Sequence, residues 1–400
     1  MKNFGTLFSY ELKKIWKRPM TWAAVLVFCA AFVIITVQPF FRSGGATLTA
    51  VDADGKEISQ FLTAGEQYRL RVEGARLLSG QPMDEAFFRT ARETIPLDRE
   101  RFEKDGYFYL IDPSYCDFYT EFSEWLDDTA EHYYTARQNG RELSWQRLTE
   151  EDAAYWRELE ARVEKPFVYQ PVLGPRMLMN MLGSAGLEMF LPLLVGLCLC
   201  DLYAQERRTR AAALIFSSPR GRRCLYLAKT LAGAVSAVAV TLIVVSAGGL
   251  ANLLFYGPYG YDGAIQISPW LWHSSLPITM EQGILLLLGL LLAYALLCGA
   301  ATALASVWSG NGTAAMAISV GVMIAAMTLD RTQTGWWEFM PANLVDERGL
   351  SSLQVTHLFG AQLNILQSGL LLYLLLALVL AALCWLGWRR SATGRGNSPG

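Results

Sequence analysis

The chain has 400 residues, of which 52% are hydrophobic and 18% are charged. This balance excludes an ordinary soluble protein of the same length, because too few polar residues remain to cover so much apolar material. The formal net charge is -2, but its distribution is uneven: residues 42–176 hold 26 acidic and 17 basic residues. We therefore expect an all-α polytopic membrane protein with one acidic, soluble domain inserted between its spans.

The first 19 residues carry an apolar helical stripe, formed by Phe4, Leu7, Phe8, Leu12 and Ile15. Three lysines lie off this stripe, so residues 1–19 predict a cytoplasmic helix that lies in the membrane interface. Residues 20–41 supply about the 20 apolar residues needed to cross the hydrocarbon and predict the first span. Positive charge precedes this run, but the run is too long for a signal peptide, so we expect a retained anchor.

Residues 42–176 predict a mostly helical extracellular domain that carries a small β-hairpin. The hairpin pattern covers residues 47–51 and 54–58, because Asp54-Gly55 supplies the positive φ that a tight turn needs. Helical periodicity then covers residues 61–78, 83–93, 114–138 and 150–163, and Thr149 is placed to cap the last helix. The many aromatic residues could line a ligand groove, but their spacing favours packing in the core of the domain.

Five further apolar stretches predict five more spans, which gives six in total: 177–200, 225–256, 282–307, 313–329 and 364–388. Between them, residues 257–281 predict an extracellular loop. Residues 330–363 are too polar for a full span, but Trp336, Trp337 and Phe339 suit the interface, so they predict an extracellular or partly re-entrant loop. Residues 389–400 predict a basic cytoplasmic tail. Glu188 in the second span is a candidate functional residue, because an ionisable group at membrane depth is costly. Its alternative role is to reach the outer interface or to pair with a neighbouring helix.

Charge predicts the orientation of these spans. Basic residues cluster beside the membrane at both termini and in residues 201–224, whereas the loops 257–281 and 330–363 hold only Arg331 and Arg348. By the positive-inside rule, both termini and residues 201–224 are cytoplasmic, which places the acidic domain outside the cell. The expected location is a plasma membrane, crossed several times.

Residues 201–224 connect the second and third spans and carry the clearest functional pattern. Residues 205–216 predict a short helix that ends at Ser217-Ser218-Pro219, because proline cannot continue the helical hydrogen bonds. Read along the chain, the pattern is Glu206, Thr209, an apolar run, Ser217-Ser218-Pro219, Arg222-Arg223 and then Lys229. A helical turn on the cytoplasmic side between two spans is a surface that another protein could move.

This order resembles the first cytoplasmic loop of bacterial ABC-2-type transporter permeases. The segment Tyr10-Glu11-Leu12-Lys13-Lys14 and the layout of six spans with a large domain after the first are also similar. The resemblance implies that the loop forms a coupling helix on a separate ATP-binding subunit, which would hold ATP and magnesium. It also implies two copies of that subunit and a second permease, identical or similar. One departure is Arg208, where the family often has glycine.

The residues that this resemblance places at the contact with the ATP-binding subunit are Gln205, Glu206, Arg207, Arg208, Thr209, Arg210, Ser217, Ser218 and Pro219. Three neighbouring arginines have an alternative role as contacts to lipid phosphates, and they are Arg220, Arg222 and Arg223. Membrane lipids are therefore expected partners, whereas nucleic acid is not. We expect no cofactor or metal ion in this chain itself.

The sequence lacks the common motifs for nucleotide binding and for hydrolysis. No G-x-x-x-x-G-K-[ST] motif or H-E-x-x-H motif occurs, and no arrangement of Ser, His and Asp is specific enough to predict hydrolysis. A transporter without its own ATP site or a clear proton relay must be driven by another subunit. We therefore predict a permease subunit of an ATP-driven exporter that is not itself an enzyme. The alternative is a membrane receptor or sensor whose extracellular domain binds a peptide or a cell-wall ligand.

Overall fold

The computed structural model describes residues 4–41, 45–51, 56–67, 75–76, 78–92, 129–183, 186–208, 219–328 and 335–392. Most of these residues are helical. Within the described ranges, five helices are long and apolar enough to cross a membrane: Pro19–Gln38, Leu187–Glu206, Arg222–Tyr256, Met280–Ser309 and Ile365–Arg390. The prediction of a helical chain with several apolar spans is confirmed to this extent.

The N-terminal residues form two helices, α1 (Phe4–Trp16) and α2 (Pro19–Phe41). The joint between them is fixed by side chains of α2, because Thr21 Oγ1 donates to the Ile15 carbonyl oxygen at 3.0 Å. The predicted division into a separate amphipathic helix and a first span is therefore present. Besides the predicted Ile15, α1 also buries Glu11, which the apolar stripe did not include.

The inserted segment begins with an antiparallel hairpin of β1 (Gly45–Val51) and β2 (Glu57–Thr63), in which Gly45 pairs with Thr63 and Val51 with Glu57. This confirms the predicted hairpin, although its turn lies outside the described residues. The prediction of a helix from residue 61 is wrong at its start. Strand β2 continues to Thr63, because Phe61, Leu62 and Thr63 pair with Thr47, Ala46 and Gly45 of β1.

The described part of the inserted segment then contains the helices α3 (Glu85–Arg92), α4 (Ala130–Trp145) and α5 (Glu150–Ala161). The Thr149 side chain accepts a hydrogen bond from the Asp152 backbone N–H, which confirms the predicted cap of α5. The predicted helix 114–138 has a later boundary, because Thr129 caps α4 and the helix continues to Trp145. Residues 93–128 of this segment, with many of its aromatic side chains, lie outside the described residues.

The predicted second span 177–200 is wrong as a single helix, because it is divided into α6 (Leu173–Leu182) and α7 (Leu187–Leu199). Gly183 lies at the break, and a Cβ atom there would overlap the carbonyl oxygen of Val345. The hydrophobic run continues through this position, so hydropathy alone does not reveal the change in direction.

The next helices are α8 (Ala204–Arg208), α9 (Pro219–Tyr256), α10 (Met280–Ser309) and α11 (Gly312–Thr328). Pro219 is the first residue of α9, and residues 209–218, which hold most of the predicted helix 205–216 and its end, lie outside the described residues. Proline suits the first position of a helix, since its missing N–H would have no partner at that position. Residues 219–224, predicted as loop, therefore belong to α9. A capping box of Thr279 and Gln282 begins α10, and Gly310 ends it with φ 65°.

The last part of the chain contains α12 (Pro341–Leu344), α13 (Glu347–Ser351), β3 (Val355–Leu358), β4 (Ala361–Asn364) and α14 (Ile365–Ala392). The strands β3 and β4 form a second antiparallel hairpin that the sequence analysis did not predict. Its turn contains Phe359 and Gly360, both with positive φ. Helix α14 agrees with the predicted sixth apolar stretch.

The inserted segment and two connecting loops lie together at one end of the helices. Arg137 Nε on α4 donates to the Trp272 carbonyl oxygen at 2.8 Å, and Trp156 Nε1 on α5 donates to the Leu353 carbonyl oxygen at 2.8 Å. We call this the loop end. The opposite end holds α1, α8, the start of α9 and the C-terminus of α14, and we call it the basic end.

Candidate functional site

The candidate site lies at the basic end, where the predicted coupling residues are found. Four of the nine predicted contact residues lie in α8, and they are Gln205, Glu206, Arg207 and Arg208. Four others fall outside the described residues, and they are Thr209, Arg210, Ser217 and Ser218. The ninth, Pro219, is the first residue of α9.

Lys229 forms the centre of this site. It lies about three turns into α9, and its side chain is fully buried. Its ammonium contacts Glu11 Oε2 at 2.8 Å, Glu206 Oε1 at 2.7 Å and the Leu202 carbonyl oxygen at 2.7 Å. A lysine ammonium has three N–H donors, so these three acceptors satisfy it completely.

Glu206 joins the same site to α1. Its Oε1 lies 2.6 Å from Lys14 Nζ, and that Nζ is also 3.7 Å from Glu11 Oε2. We call Glu11, Lys14, Glu206 and Lys229 the Lys229 cluster. It contains two carboxylates and two ammonium groups, so the formal charges balance within it.

The Lys229 cluster is shielded from solvent. The exposed fraction of the side chain is 4% for Glu11, 6% for Glu206 and 20% for Lys14. Charges removed from water are stable only when they are closely paired, and removing one partner of such a set costs about 3–5 kcal/mol. The cluster therefore fixes α8 against both α1 and α9, and Glu206 is occupied within the chain.

The residues beside Glu206 are held in the same way. Gln205 Oε1 accepts a hydrogen bond from Arg18 Nη2 at 2.8 Å, at the joint between α1 and α2. The backbone N–H groups of Tyr203 and Ala204 both donate to Ser306 Oγ on α10, at 3.3 and 3.1 Å. The chain that enters α8 therefore contacts the α1–α2 joint, α9 and α10.

Tyr203 packs beside Lys229 and connects the site to α14. Its ring centroid lies 5.7 Å from Lys229 Nζ, and its hydroxyl oxygen is 2.8 Å from Thr230 Oγ1. The ring also makes an edge-on contact with Trp388 of α14, with the centroids 5.3 Å apart. The C-terminal part of α14 thus contacts the same short segment as α1, α9 and α10.

The acceptors and donors of the Lys229 cluster bind one another inside the protein. Among the residues that the structure describes, no group of three His, Cys, Asp or Glu side chains is placed to hold a metal ion.

Glu188, the other predicted functional residue, lies apart from this site. It is 1% exposed and sits in the first turn of α7, directly after the break at Gly183. The positive end of the helix dipole stabilises a carboxylate at this position. The side chain is enclosed by protein rather than exposed at an interface.

A second buried charged cluster lies at the loop end. The Glu160 carboxylate pairs with Arg137 at 2.8 Å, with Lys165 at 3.0 Å and with Arg141. Burial lowers the pKa of Arg137 to about 10 and that of Arg141 to about 9. Burial, together with the positive charges of these two arginines, lowers the pKa of Lys165 to about 8. Since Arg137 also donates to the Ser274 carbonyl oxygen at 2.9 Å, this cluster holds the inserted segment on the 257–279 loop.

Comparison with known proteins adds no relative: no family model, curated protein or solved structure matches this chain.

Proposed function

We propose that this chain is the membrane-spanning permease subunit of an ATP-driven exporter of the ABC type. It would work with a second permease and with separate ATP-binding subunits that contact the segment between α7 and α9. The observation that carries the proposal is the Lys229 cluster, which joins α8 to α1 and α9 through buried ion pairs. The resemblance of this segment to the coupling loop of ABC-2-type permeases is the reason for proposing an ATP-binding subunit as its partner.

The cluster gives the segment a way to transmit force. Glu206 is bound to Lys14 on α1 and to Lys229 on α9, so a displacement of α8 separates buried charges unless both helices follow. Separating them is costly, because water does not replace the lost partners. Closure of ATP-binding subunits against α8 would therefore move α1 and α9 together, in the manner of rigid-body rocking.

The proposal includes six spans, with α11 as the fifth in chain order. Gly312 lies against Asp201 at the basic end, whereas the chain after α11 reaches Gly183 through Val345 at the loop end. The 17 residues of α11 extend about 25 Å, close to the ~30 Å of the hydrocarbon core. If α11 did not cross the membrane, the chain could not pass from the basic end, where α11 begins, to the loop end, which follows α11.

Orientation follows from charge. The basic end carries the arginines of α8, α9 and α14, so the positive-inside rule favours the cytoplasm for this end and for both termini. The inserted segment then faces the outside of a bacterial plasma membrane. This orientation also gives ATP-binding subunits access to α8.

The break between α6 and α7 directly precedes the apolar helix Leu187–Glu206. Discontinuous helices occur in transporters, where the irregular backbone lines a binding site or a pathway. Here the break is followed at once by the buried Glu188.

Affinity purification of the full chain from its native membranes, with mass spectrometry of the bound proteins, tests the proposal. We expect a protein with a P-loop ATP-binding motif in stoichiometric amount. Charge reversal of Arg207 and Arg208 should remove that protein, whereas reversal of Lys13 on α1 and of Lys17 directly after α1, at the same end, should retain it. Recovery of the chain alone, or with a kinase, would refute the exporter and favour the receptor alternative.

A further inference from the structure

A groove runs along the membrane-facing side of α9 and α14, starting at the basic end. It consists of two cavities of about 410 and 380 Å³. Thr230 and Ala381 line both cavities, so the two are continuous. We call this the α9–α14 groove.

The polarity of the groove changes along its length. At the basic end it is lined by Arg223, which is exposed, and by the rings of Tyr226 and Trp385, whose centroids are 4.9 Å apart. The Tyr226 hydroxyl donates to the Ala381 carbonyl oxygen, which fixes this wall. Farther in, the lining consists almost wholly of small or aliphatic residues, among them Gly233, Ala234, Gly299, Ala300, Ala303 and Ala377.

This sequence of charge, aromatic rings and apolar surface follows the profile of one membrane leaflet. Phosphates attract arginine at the surface, tyrosine and tryptophan prefer the interface, and acyl chains fill the interior. From Arg223 to Ala234 the groove follows about 16 Å of helix. Half of the ~30 Å hydrocarbon core is about 15 Å, so the groove has the depth of one leaflet.

Arg223 at the mouth of the groove favours an occupant with an anionic group, and a phospholipid supplies one together with acyl chains. The apolar part is lined by small residues, along which a flexible acyl chain can lie. A helix of a second copy is the competing occupant, and the Ala377→Leu variant described below distinguishes the two.

We propose that the α9–α14 groove holds one anionic phospholipid, with its phosphate at Arg223 and an acyl chain along Ala234 and Ala377. The positive charge at the mouth selects an anionic headgroup over a zwitterionic one. The lipid would touch the wall of the candidate site, because the Leu202 side chain lines the groove while its carbonyl oxygen accepts from Lys229.

Native mass spectrometry of the purified full chain in detergent tests this, with phosphatidylglycerol and phosphatidylcholine titrated separately. We expect one phosphatidylglycerol per chain to bind more tightly than phosphatidylcholine. Arg223→Gln should weaken phosphatidylglycerol about fivefold, the contribution of one arginine near a phosphate, and should weaken phosphatidylcholine less, because its choline cation offsets the charge of the phosphate. Lys13→Gln removes the same charge from an exposed position on α1 outside the groove and should have no effect.

The second part of the experiment fills the apolar part of the α9–α14 groove with a larger side chain. Ala377→Leu should weaken both lipids at least tenfold, whereas Ala30→Leu, at an exposed alanine of α2, should change neither. Equal binding of the two lipids, or an Arg223→Gln variant that binds phosphatidylglycerol as well as the unaltered chain, would overturn the proposal. So would an Ala377→Leu variant that loses a dimer instead of a lipid. The measurement uses neither nucleotide nor partner, so its failure is separate from failure of the proposed exporter function.

Discussion

Replacing Lys229 with methionine removes the ammonium at the centre of the Lys229 cluster while keeping most of the side-chain volume. Glu11 and Glu206 then share a single remaining cation, Lys14, which lies 2.6 Å from Glu206 but 3.7 Å from Glu11. The Leu202 carbonyl oxygen also loses its donor. The variant therefore carries one uncompensated negative charge inside the protein.

The size of the effect follows from burial. Glu11 and Glu206 are 4% and 6% exposed, so solvent screens the excess charge very little, and we expect a loss of about 3–5 kcal/mol in the free energy of unfolding. Adding Glu11→Gln restores charge balance. The double variant should therefore be less destabilised than the sum of the two single variants, by about 2 kcal/mol.

Equilibrium unfolding in mixed micelles of denaturing and mild detergent measures these differences. Lys13→Met is the matched control. Lys13 is exposed on α1, the helix that carries Glu11, and its replacement should change stability by less than about 0.5 kcal/mol. Two results would refute the reasoning: a Lys229→Met variant as stable as the control, or strictly additive effects of the two substitutions. Either result would mean that the charges do not interact.

Three further predictions concern other parts of the chain. Gly183→Ala should destabilise the protein by about 1–3 kcal/mol, because the new Cβ overlaps the Val345 carbonyl oxygen; Gly289→Ala, in open space on α10, should be neutral or slightly stabilising in the same unfolding assay. Lys165, with its pKa near 8, should be about half deprotonated at pH 8, so an amine-acylating reagent should label it far faster than an ordinary lysine of pKa ~10.4, as read by peptide mass spectrometry. Because the unfolded chain binds this proton more tightly, the contribution of Lys165 to stability should rise between pH 8 and 10.5, and a labelling midpoint above pH 10 would contradict the lowered pKa. Thr149→Ala should cost about 1 kcal/mol by removing the cap of α5, and thermal unfolding without any shift would contradict this.

The features that could be predicted from the sequence are those with a local cause. Apolar runs of sufficient length predicted α2, α9, α10 and α14, because hydrocarbon thickness alone sets that length. The Thr149 cap and the β1–β2 hairpin depend on neighbouring residues, and both were predicted. The break at Gly183 was missed, because it is caused by a distant backbone segment at Val345.

In the candidate site too, features with a local cause could be predicted, whereas contacts between distant residues could not. Glu206 and Lys229 were both noticed within one sequence pattern, but their direct pairing was not predicted. Pairing them requires that α8 returns against α9, which is a tertiary arrangement without a local signal. One clue was available: Glu11 lies next to the apolar stripe of α1 and Lys229 lies within an apolar run, and a charge in either place needs a partner. Residues 219–224 were assigned to the loop because proline both ends and begins helices, and only the neighbouring structure distinguishes the two roles.

The Lys229 cluster and the α9–α14 groove share a wall, and this has a thermodynamic consequence. Leu202 contributes its carbonyl oxygen to Lys229 and its side chain to the groove, while Thr230 lines the groove and bonds to Tyr203 just before α8. If α8 moves, the shape of the groove changes with it, so a lipid that prefers one position of α8 must also stabilise that position. Linkage is reciprocal, so a partner that displaces α8 would change lipid affinity by the same factor as lipid changes the affinity of the partner. A buried ionic junction suits this role better than an apolar one, because close ion pairs hold α8 in one register whereas aliphatic side chains can slide and repack.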